Sequence, residues 1–423
     1  MYNIAKFNDS YKMRKRLFVV LTSIFISLFL GEFLLARFYP QKTYSAAFKN
    51  AIACFDKSET VDFTLKQNCT FSFTDFDTKE TFSTRTNNLG YRGNDFAIKK
   101  PEGEKRILLE GDSFILGFGV KDGDLVSQKL ANLLSDAKVP SVFSQAKVIN
   151  AGYAGGFGPD GYFLHLKKRG MALEPDLVVF SVFVYNDLTD MYHDQWIGAG
   201  KYGEPLRVVS KTTRVDDGGH LLPISTPLIY KLPILRESNL VVITAQGIES
   251  MRAKIAYLYD RVRYKIKPPE VPSADATDEN IPGVYFSQCI YQEICHRQVM
   301  HLFGDLMTTI KASNYLAKGQ FTDGKPHFIV MLIPADFQLY PNTLAKYHDD
   351  GIPPDIKYQE DPNPQKRIKD MLDKENIPYI DLLPIFKKSK ERLYFTNEEH
   401  WNSVGHQAAA VELYKWIEEN YEK

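Results

Sequence analysis

The residue best placed to act as a nucleophile is Ser113. The apolar run Ile107-Leu108-Leu109 predicts a β-strand, which continues through Glu110 into Gly111-Asp112-Ser113. A side chain at the carboxyl end of a strand, on a turn that glycine permits, projects into the crevice above an α/β sheet. Ser113 is therefore the candidate nucleophile of an esterase or acyltransferase, and its simpler role would be a helix N-cap.

A base for this serine lies near the C-terminus, at His400. A serine hydroxyl is a weak nucleophile at neutral pH and needs an adjacent imidazole, which a carboxylate in turn orients. His400 follows Glu398 and Glu399 and precedes a helix-like stretch. We expect His400 to be the general base, whereas His406 falls in the first turn of the final helix and is predicted to be structural.

Two further segments offer groups that stabilise an oxyanion. Residues 148–156 are typical of a short strand that enters a glycine loop, where backbone N–H groups point outward. The apolar run 177–184 predicts a strand buried on both faces, and Asn186 follows its end with a side-chain amide. Taken singly, these segments also suit an ordinary glycine turn and an Asx turn.

Taken in chain order, the four segments resemble the SGNH (GDSL-type) hydrolase superfamily over about residues 80 to 423. The resemblance implies a three-layer α/β/α, flavodoxin-like SGNH fold with a parallel sheet. It makes Ser113 the nucleophile, with Ser113, Gly155 and Asn186 as oxyanion donors and His400 as the base. No cofactor or metal is expected.

The carboxylate that would orient His400 departs from the family pattern. The family usually has aspartate three residues before the histidine, or two before it in members with an "HW-N" ending, and these positions are Asn397 and Glu398. We choose Glu398 as the carboxylate that orients His400, which makes the site a Ser-His-Glu triad. The alternative is a Ser-His dyad. The His400-Trp401-Asn402 ending resembles the subgroup of envelope alginate O-acetyltransferases, which keeps acyl transfer open beside hydrolysis.

The N-terminus predicts a membrane anchor. Basic residues at 12 and 14–16 precede an apolar run over 17–38, which is long enough to cross a bilayer. The positive charge predicts a cytoplasmic tail at 1–16 and a periplasmic or extracellular catalytic domain. A cleaved signal peptide is the alternative.

The remaining chain is predicted to hold a juxtamembrane segment at 39–100 and the hydrolase-like domain at 101–423. Strand and helix signals alternate in this domain, as in a parallel sheet covered by helices. The alternation breaks at about 188–322, where we expect a helical insertion. The cysteine pairs Cys54 with Cys69 and Cys289 with Cys295 suit local disulfides, with zinc or free thiols as alternatives.

Composition limits the partners. Lys plus Arg and Asp plus Glu both number 52, so no overall charge favours nucleic acid. The expected substrate is an acyl ester of an envelope glycan or an acylated small molecule. The alternative function is a catalytically silent envelope protein that binds a glycan or a partner.

Overall fold

The computed structural model describes residues 2–41, 52–61, 63–137, 142–153, 156–224, 232–245, 247, 248, 251, 255, 290, 297–319, 321–343, 363–396 and 398–421. The chain forms two compact units. The smaller comprises residues 1–51 and 225–267, and the larger comprises residues 52–224 and 268–423.

The larger unit begins with two antiparallel hairpins that precede the main sheet. Strand β1 (Phe55–Lys57) pairs with β2 (Phe63–Leu65), and β3 (Thr70–Thr74) pairs with β4 (Thr81–Arg85). A disulfide joins Cys54 to Cys69 and so ties the first hairpin to the start of the second. Cys289 and Cys295 lie outside the described residues.

Five parallel strands form the central sheet of this unit. They are β5 (Arg106–Gly111), β6 (Lys147–Gly152), β7 (Leu177–Phe183), β12 (Phe328–Ile333) and β13 (Tyr379–Asp381), in the spatial order β13-β12-β7-β5-β6. Every residue of β5, β7 and β12 is buried, which explains their nearly continuous apolar sequences. Numbered along the chain, the five strands follow the order 2-1-3-4-5, which confirms the flavodoxin-like prediction.

Helices cover both faces of the sheet and complete a three-layer α/β fold. Those of the larger unit are α2 (Ser113–Leu116), α3 (Val126–Ser135), α4 (Pro159–Lys168), α5 (Asp187–His193), α7 (Arg297–Lys318), α8 (Asn363–Lys374), α9 (Leu382–Phe386) and α10 (Ser403–Tyr421). Helix α3 packs on α10, and α4 packs on α7. The alternation of strands and helices predicted from the sequence is therefore present.

The segment predicted as a helical insertion also contains strands. After α5, the pairs β8 (Asp194–Ala199) with β9 (Pro205–Ser210) and β10 (Thr213–Val215) with β11 (Leu221–Pro223) form two antiparallel hairpins. These strands are short and mostly half-exposed, so they lack the long apolar runs that marked the central sheet.

The smaller unit contains a long apolar helix, α1 (Tyr2–Phe38), and a short one, α6 (Pro233–Arg236). Within Met13–Phe38, an 18-residue window has a mean hydropathy of 2.3, and none of its residues is buried within the protein. Length and composition suit a membrane span or a signal sequence.

His406 connects the final helix, α10, to α3. Its Nδ1 accepts a hydrogen bond from the Val126 N–H at the start of α3, 3.2 Å away, so the ring must be neutral at this nitrogen. Only 1% of His406 is exposed. Burial, reinforced by the charges of Arg92 and Lys129, lowers the pKa of His406 to about 3.

We expect His406 to make the fold acid-sensitive. Its unfolded pKa is about 6.5, so the unfolded chain takes up a proton that the folded chain refuses, and stability falls as the pH drops from about 6.5 toward 3. His406→Asn loses the hydrogen bond at pH 7 but also removes this sensitivity. Its stability deficit relative to wild type should therefore shrink by up to about 3 kcal/mol between pH 7 and pH 4 in urea-unfolding curves. The exposed His301→Asn serves as control, and a deficit that is constant with pH would contradict the assignment.

Candidate active site

Ser113 is the first residue of α2, directly after β5. The Asp112 side chain caps this helix, because its Oδ1 accepts a hydrogen bond of 2.9 Å from the Phe114 N–H. At the end of the neighbouring strand β6, a Cβ on Gly152 would lie 2.0 Å from the Leu116 nitrogen. Glycine at 152 therefore allows α2 to sit close over the sheet.

The far end of α2 is held by side chains from outside the helix. Arg92 donates from Nη1 to the carbonyls of Leu116, at 2.8 Å, and Gly117, at 2.6 Å. Asn150 donates from Nδ2 to the Ile115 carbonyl at 2.5 Å. A four-residue helix leaves its last carbonyls unpaired, and these donors satisfy them. Arg92 was not predicted as part of the site, because the neighbouring Gly90 and Gly93 are its only distinguishing feature in the sequence.

The loop that carries His400 is fixed by a short β-bridge between Tyr394 and Trp401. The Phe395 N–H donates to the His400 carbonyl at 3.0 Å inside this loop. Trp401 is fully buried, and its ring lies 5.0 Å from the Phe114 ring of α2. The residue after the histidine thus anchors the loop against the helix that carries the serine.

Asn402, the last residue of the His-Trp-Asn sequence, also holds this loop in place. Its Nδ2 donates to the Arg392 carbonyl at 2.8 Å, and its Oδ1 accepts from the N–H groups of Val404, at 2.9 Å, and Gly405, at 3.0 Å. The side chain caps α10 and closes the loop at the same time. A Cβ at Gly405 would lie 2.1 Å from the Leu393 oxygen, so this position requires glycine.

Three of the predicted site residues form a continuous hydrogen-bonded chain. Ser113 Oγ lies 2.6 Å from His400 Nε2, and His400 Nδ1 lies 2.5 Å from Glu398 Oε2. Glu398 Oε2 also accepts from the His400 backbone N–H at 2.9 Å. The longer glutamate side chain reaches the ring by folding back over its own loop. Asn397, the other position considered, lies outside the described residues.

The site stabilises the protonated imidazole of His400 more than water would. His400 is 7% exposed, and desolvation alone would lower its pKa. The hydrogen bond that Nδ1 donates to Glu398 and the charges of Glu398, Glu399 and Asp112 outweigh desolvation and raise the pKa of His400 above its ordinary value. A ring that has just accepted a proton from Ser113 is stabilised in the same way.

Three further carboxyls surround the serine and histidine. Asp112 is 5% exposed, and its Oδ2 has no hydrogen-bond partner among the described residues. Burial raises the pKa of Asp112, that of Glu399 to about 7 and that of Asp190 to about 8. The charged groups that act most on these carboxyls are other acids and His400. Asp112 and Glu399 adjoin predicted residues in sequence, but only the fold shows their burial.

Three of these residues also offer ligand atoms for a metal ion. Ligand atoms of Glu398, Glu399 and His400 lie within 4.8 Å of one another in the described part of the chain. Both His400 ring nitrogens are already engaged, however, by Ser113 and Glu398. The geometry therefore suits proton transfer better than metal coordination.

The two remaining predicted residues concern the oxyanion. Asn186 is half-buried at the start of α5, just beyond β7. Strands β5 and β7 are neighbours, so Ser113 and Asn186 both follow carboxyl ends at the point where the strand order reverses. Gly155 lies outside the described residues.

One side of His400 is lined by aromatic rings. The ring centroids of Phe114 and Phe118 lie 5.0 and 5.3 Å from that of the imidazole. Phe76, from the turn between β3 and β4, stacks on Phe118 at 6.0 Å. The hairpin within the predicted juxtamembrane segment therefore contributes to the wall of this site.

No protein-family model matches the chain, and no curated protein matches it in sequence. Its structure is similar to the lipase/acylhydrolase from Enterococcus faecalis, at 12% sequence identity and a TM-score of 0.36, covering 74% of this chain and 96% of that one. A candidate acylhydrolase from Bacteroides fragilis is similar at 13% identity and a TM-score of 0.32, covering 76% of this chain and 90% of that one. Both likenesses are low in sequence identity and in TM-score.

The electrostatics of His400 can be measured directly. We expect an NMR titration of labelled imidazoles to give His400 a pKa above 6.5 and Glu398→Gln to lower it, because the variant removes the negative charge that favours the protonated ring. A His400→Asn spectrum assigns the resonance. Glu391→Gln, on an exposed carboxyl of the same region, is the matched control. Equal His400 pKa values in wild type and Glu398→Gln would refute the contact.

Proposed function

We propose that the protein is a serine-dependent esterase or O-acyltransferase that works through an acyl-Ser113 intermediate. The observation that carries this proposal is the hydrogen bond of 2.6 Å between Ser113 Oγ and His400 Nε2. Glu398 at Nδ1 supplies the third member of a nucleophile–base–carboxylate arrangement.

In the proposed reaction, neutral His400 takes the Ser113 proton at Nε2 while Oγ attacks the acyl carbonyl. The tetrahedral intermediate collapses, and His400 returns the proton to the departing alcohol. Water or a second alcohol then attacks the acyl-serine while His400 takes its proton. The second tetrahedral intermediate collapses by breaking the bond between the acyl carbon and Oγ, and His400 returns the proton to Ser113 Oγ. Water yields the free acid, and an acceptor alcohol yields a new ester, so hydrolysis and transfer share the same groups.

The oxyanion is assigned to three donors. Ser113 opens α2, so its N–H has no partner within the helix and is available to the substrate. The Asn186 amide and the Gly155 N–H are the other two, as the resemblance to the SGNH superfamily implies. Donors that are already in place act strongly because they need no reorganisation during the reaction.

The surroundings of the site argue for a neutral or cationic alcohol in the ester. Asp112, Asp190 and Glu399 add negative charge as they ionise, and a uronate-like polymer would be repelled. This disfavours an acidic glycan of the alginate type and leaves neutral or amino-sugar esters and acylated small molecules as substrates.

The alternative of a silent binding protein drew its support from the irregular acidic position before His400. Glu398 makes the contact that this alternative assumes to be lost. Catalysis is therefore the better account of Ser113 and His400.

We also propose that α1 anchors the protein, with residues 1–16 cytoplasmic and the larger unit periplasmic or extracellular. The apolar Met13–Phe38 segment and the basic residues around its start support this orientation. The Cys54–Cys69 disulfide supports an oxidising compartment.

Ser113 should be required for turnover and for covalent labelling. We expect the full-length protein in detergent to hydrolyse a short-chain acyl ester and to react with a fluorophosphonate. Ser113→Ala should lose labelling and at least about a thousandfold in kcat/KM, since the acyl-enzyme cannot form.

The matched control is Ser389→Ala, on an exposed serine, which should retain both signals. Turnover that survives in Ser113→Ala, or labelling that maps to another residue, would reject the assignment. Labelling without hydrolysis would direct the assay to acceptor alcohols.

Charge selectivity should depend on pH. Acetylthiocholine and its uncharged carbon isostere, 3,3-dimethylbutyl thioacetate, differ in one charge, so their ratio of kcat/KM cancels the ionisation of His400. Because Glu399 and Asp190 lose protons as the pH rises from 6 to 9, we expect the ratio to rise several-fold, by roughly 1 kcal/mol of Coulombic attraction. Asp190→Asn should flatten the rise and the exposed Asp217→Asn should not. A ratio independent of pH would show that these acids do not face the substrate.

A further inference from the structure

Glu32, in the apolar part of α1, is bound by residues that lie more than 200 positions later in the chain. Its carboxylate accepts hydrogen bonds from Ser238 Oγ at 2.7 Å, the Asn239 N–H at 2.8 Å, Asn239 Nδ2 at 2.9 Å and the Leu240 N–H at 2.9 Å. The Gln41 N–H donates to Asn239 Oδ1 at 2.7 Å, which adds a second tie just beyond α1. All of these residues belong to the smaller unit.

The depth of Glu32 gives these contacts their meaning. Glu32 lies six residues before the end of the candidate span at Phe38, about 9 Å along a helix that rises 1.5 Å per residue. A carboxylate at that depth is costly unless donors surround it. The structure gives the Glu32 carboxylate four protein donors in place of water or lipid headgroups. Residues 238–240 therefore lie beside α1 at the level of Glu32, before the helix ends at Phe38.

The residues that follow this contact expose apolar side chains. We call the described residues 232–245, 247, 248, 251 and 255 the return segment. Its exposed apolar members are Leu232 at 50%, Leu235 at 37%, Ile248 at 44%, Met251 at 57% and Ile255 at 59%. A patch of this kind beside an apolar helix requires a nonpolar surrounding.

Charge indicates which surrounding fits. Residues 225–267 contain eight lysines and arginines and three acidic residues, a net charge of +5, although the whole chain is neutral. Most of these basic residues flank the return segment in the sequence, and basic residues that alternate with apolar ones are typical of segments that lie in the interface of an anionic bilayer.

We propose that the return segment lies in the interfacial layer of an anionic membrane beside α1, held there by Glu32. This rests on the proposed role of α1 as a membrane span and is independent of the ester chemistry. The chain passes between the two units at residues 51–52, 224–225 and 267–268. The chain thus crosses between the smaller and the larger unit three times, and part of the insertion predicted at about 188–322 serves as an anchor.

The test uses the full-length protein in nanodiscs that contain anionic lipid. Met251→Cys carries a bimane fluorophore, and Tyr202→Cys, an exposed position of the larger unit, is the control. Lipids with a nitroxide near the headgroup quench fluorophores in the interface. We expect quenching at 251 to exceed that at 202 by at least about threefold and to weaken when the lipid is neutral. Wild-type protein reports labelling of the native cysteines.

Equal quenching at 251 and 202 overturns the proposal. So does a probe at 251 that resists both lipid nitroxides and aqueous iodide, because a protein surface would then cover the segment. Glu32→Gln should reduce the quenching at 251 while α1 stays resistant to carbonate extraction, and unchanged quenching overturns the role of Glu32. Ester turnover in the same nanodiscs reports the ester chemistry separately, so loss of one result leaves the other readable.

Discussion

The hydrogen bond between Ser113 and His400 joins residues 287 positions apart. Contacts throughout the larger unit hold these two side chains in position. Neither partner sits inside a long element. Ser113 opens a four-residue helix, and His400 lies in a loop closed by one β-bridge. Such short pieces have little stability of their own, so their geometry must come from surrounding contacts. Arg92 and Asn150 supply these contacts on the serine side, and Trp401 and Asn402 supply them on the histidine side.

Burial of the site has two opposing electrostatic effects. Desolvation favours neutral groups, which raises the pKa of Asp112, Asp190 and Glu399 and by itself would lower that of His400. Glu398 reverses the effect for His400, because its carboxylate bonds directly to Nδ1. The same low-dielectric surroundings that make the acids reluctant to ionise therefore strengthen the single pair on which proton transfer depends.

The parts of the fold that were predictable from sequence are those encoded by local patterns. Buried parallel strands produce apolar runs, and these runs predicted the alternation of strands and helices. The ends of the runs marked the positions of Ser113 and Asn186. Arg92 could not be recognised, because its partners at 116 and 117 become neighbours only after folding. The hairpins β8–β9 and β10–β11 were missed because half-exposed strands of three to six residues carry little periodic signal. The reach of Glu398 to the imidazole depends on a loop conformation that no pattern specifies.

The neutrality of the chain conceals an uneven distribution of charge. Equal totals of acidic and basic residues excluded a general attraction to polyanions, yet the two signs are concentrated in different places. Buried and half-buried acids with raised pKa values gather around Ser113 and His400, and basic residues are concentrated between 225 and 267. An anionic surface would attract the second group and a cationic or neutral ester would suit the first. Electrostatic attraction decays within about 10 Å at 0.1 M salt. Each of these two ligands therefore responds to the charge of the residues near it and not to the net charge of the whole chain.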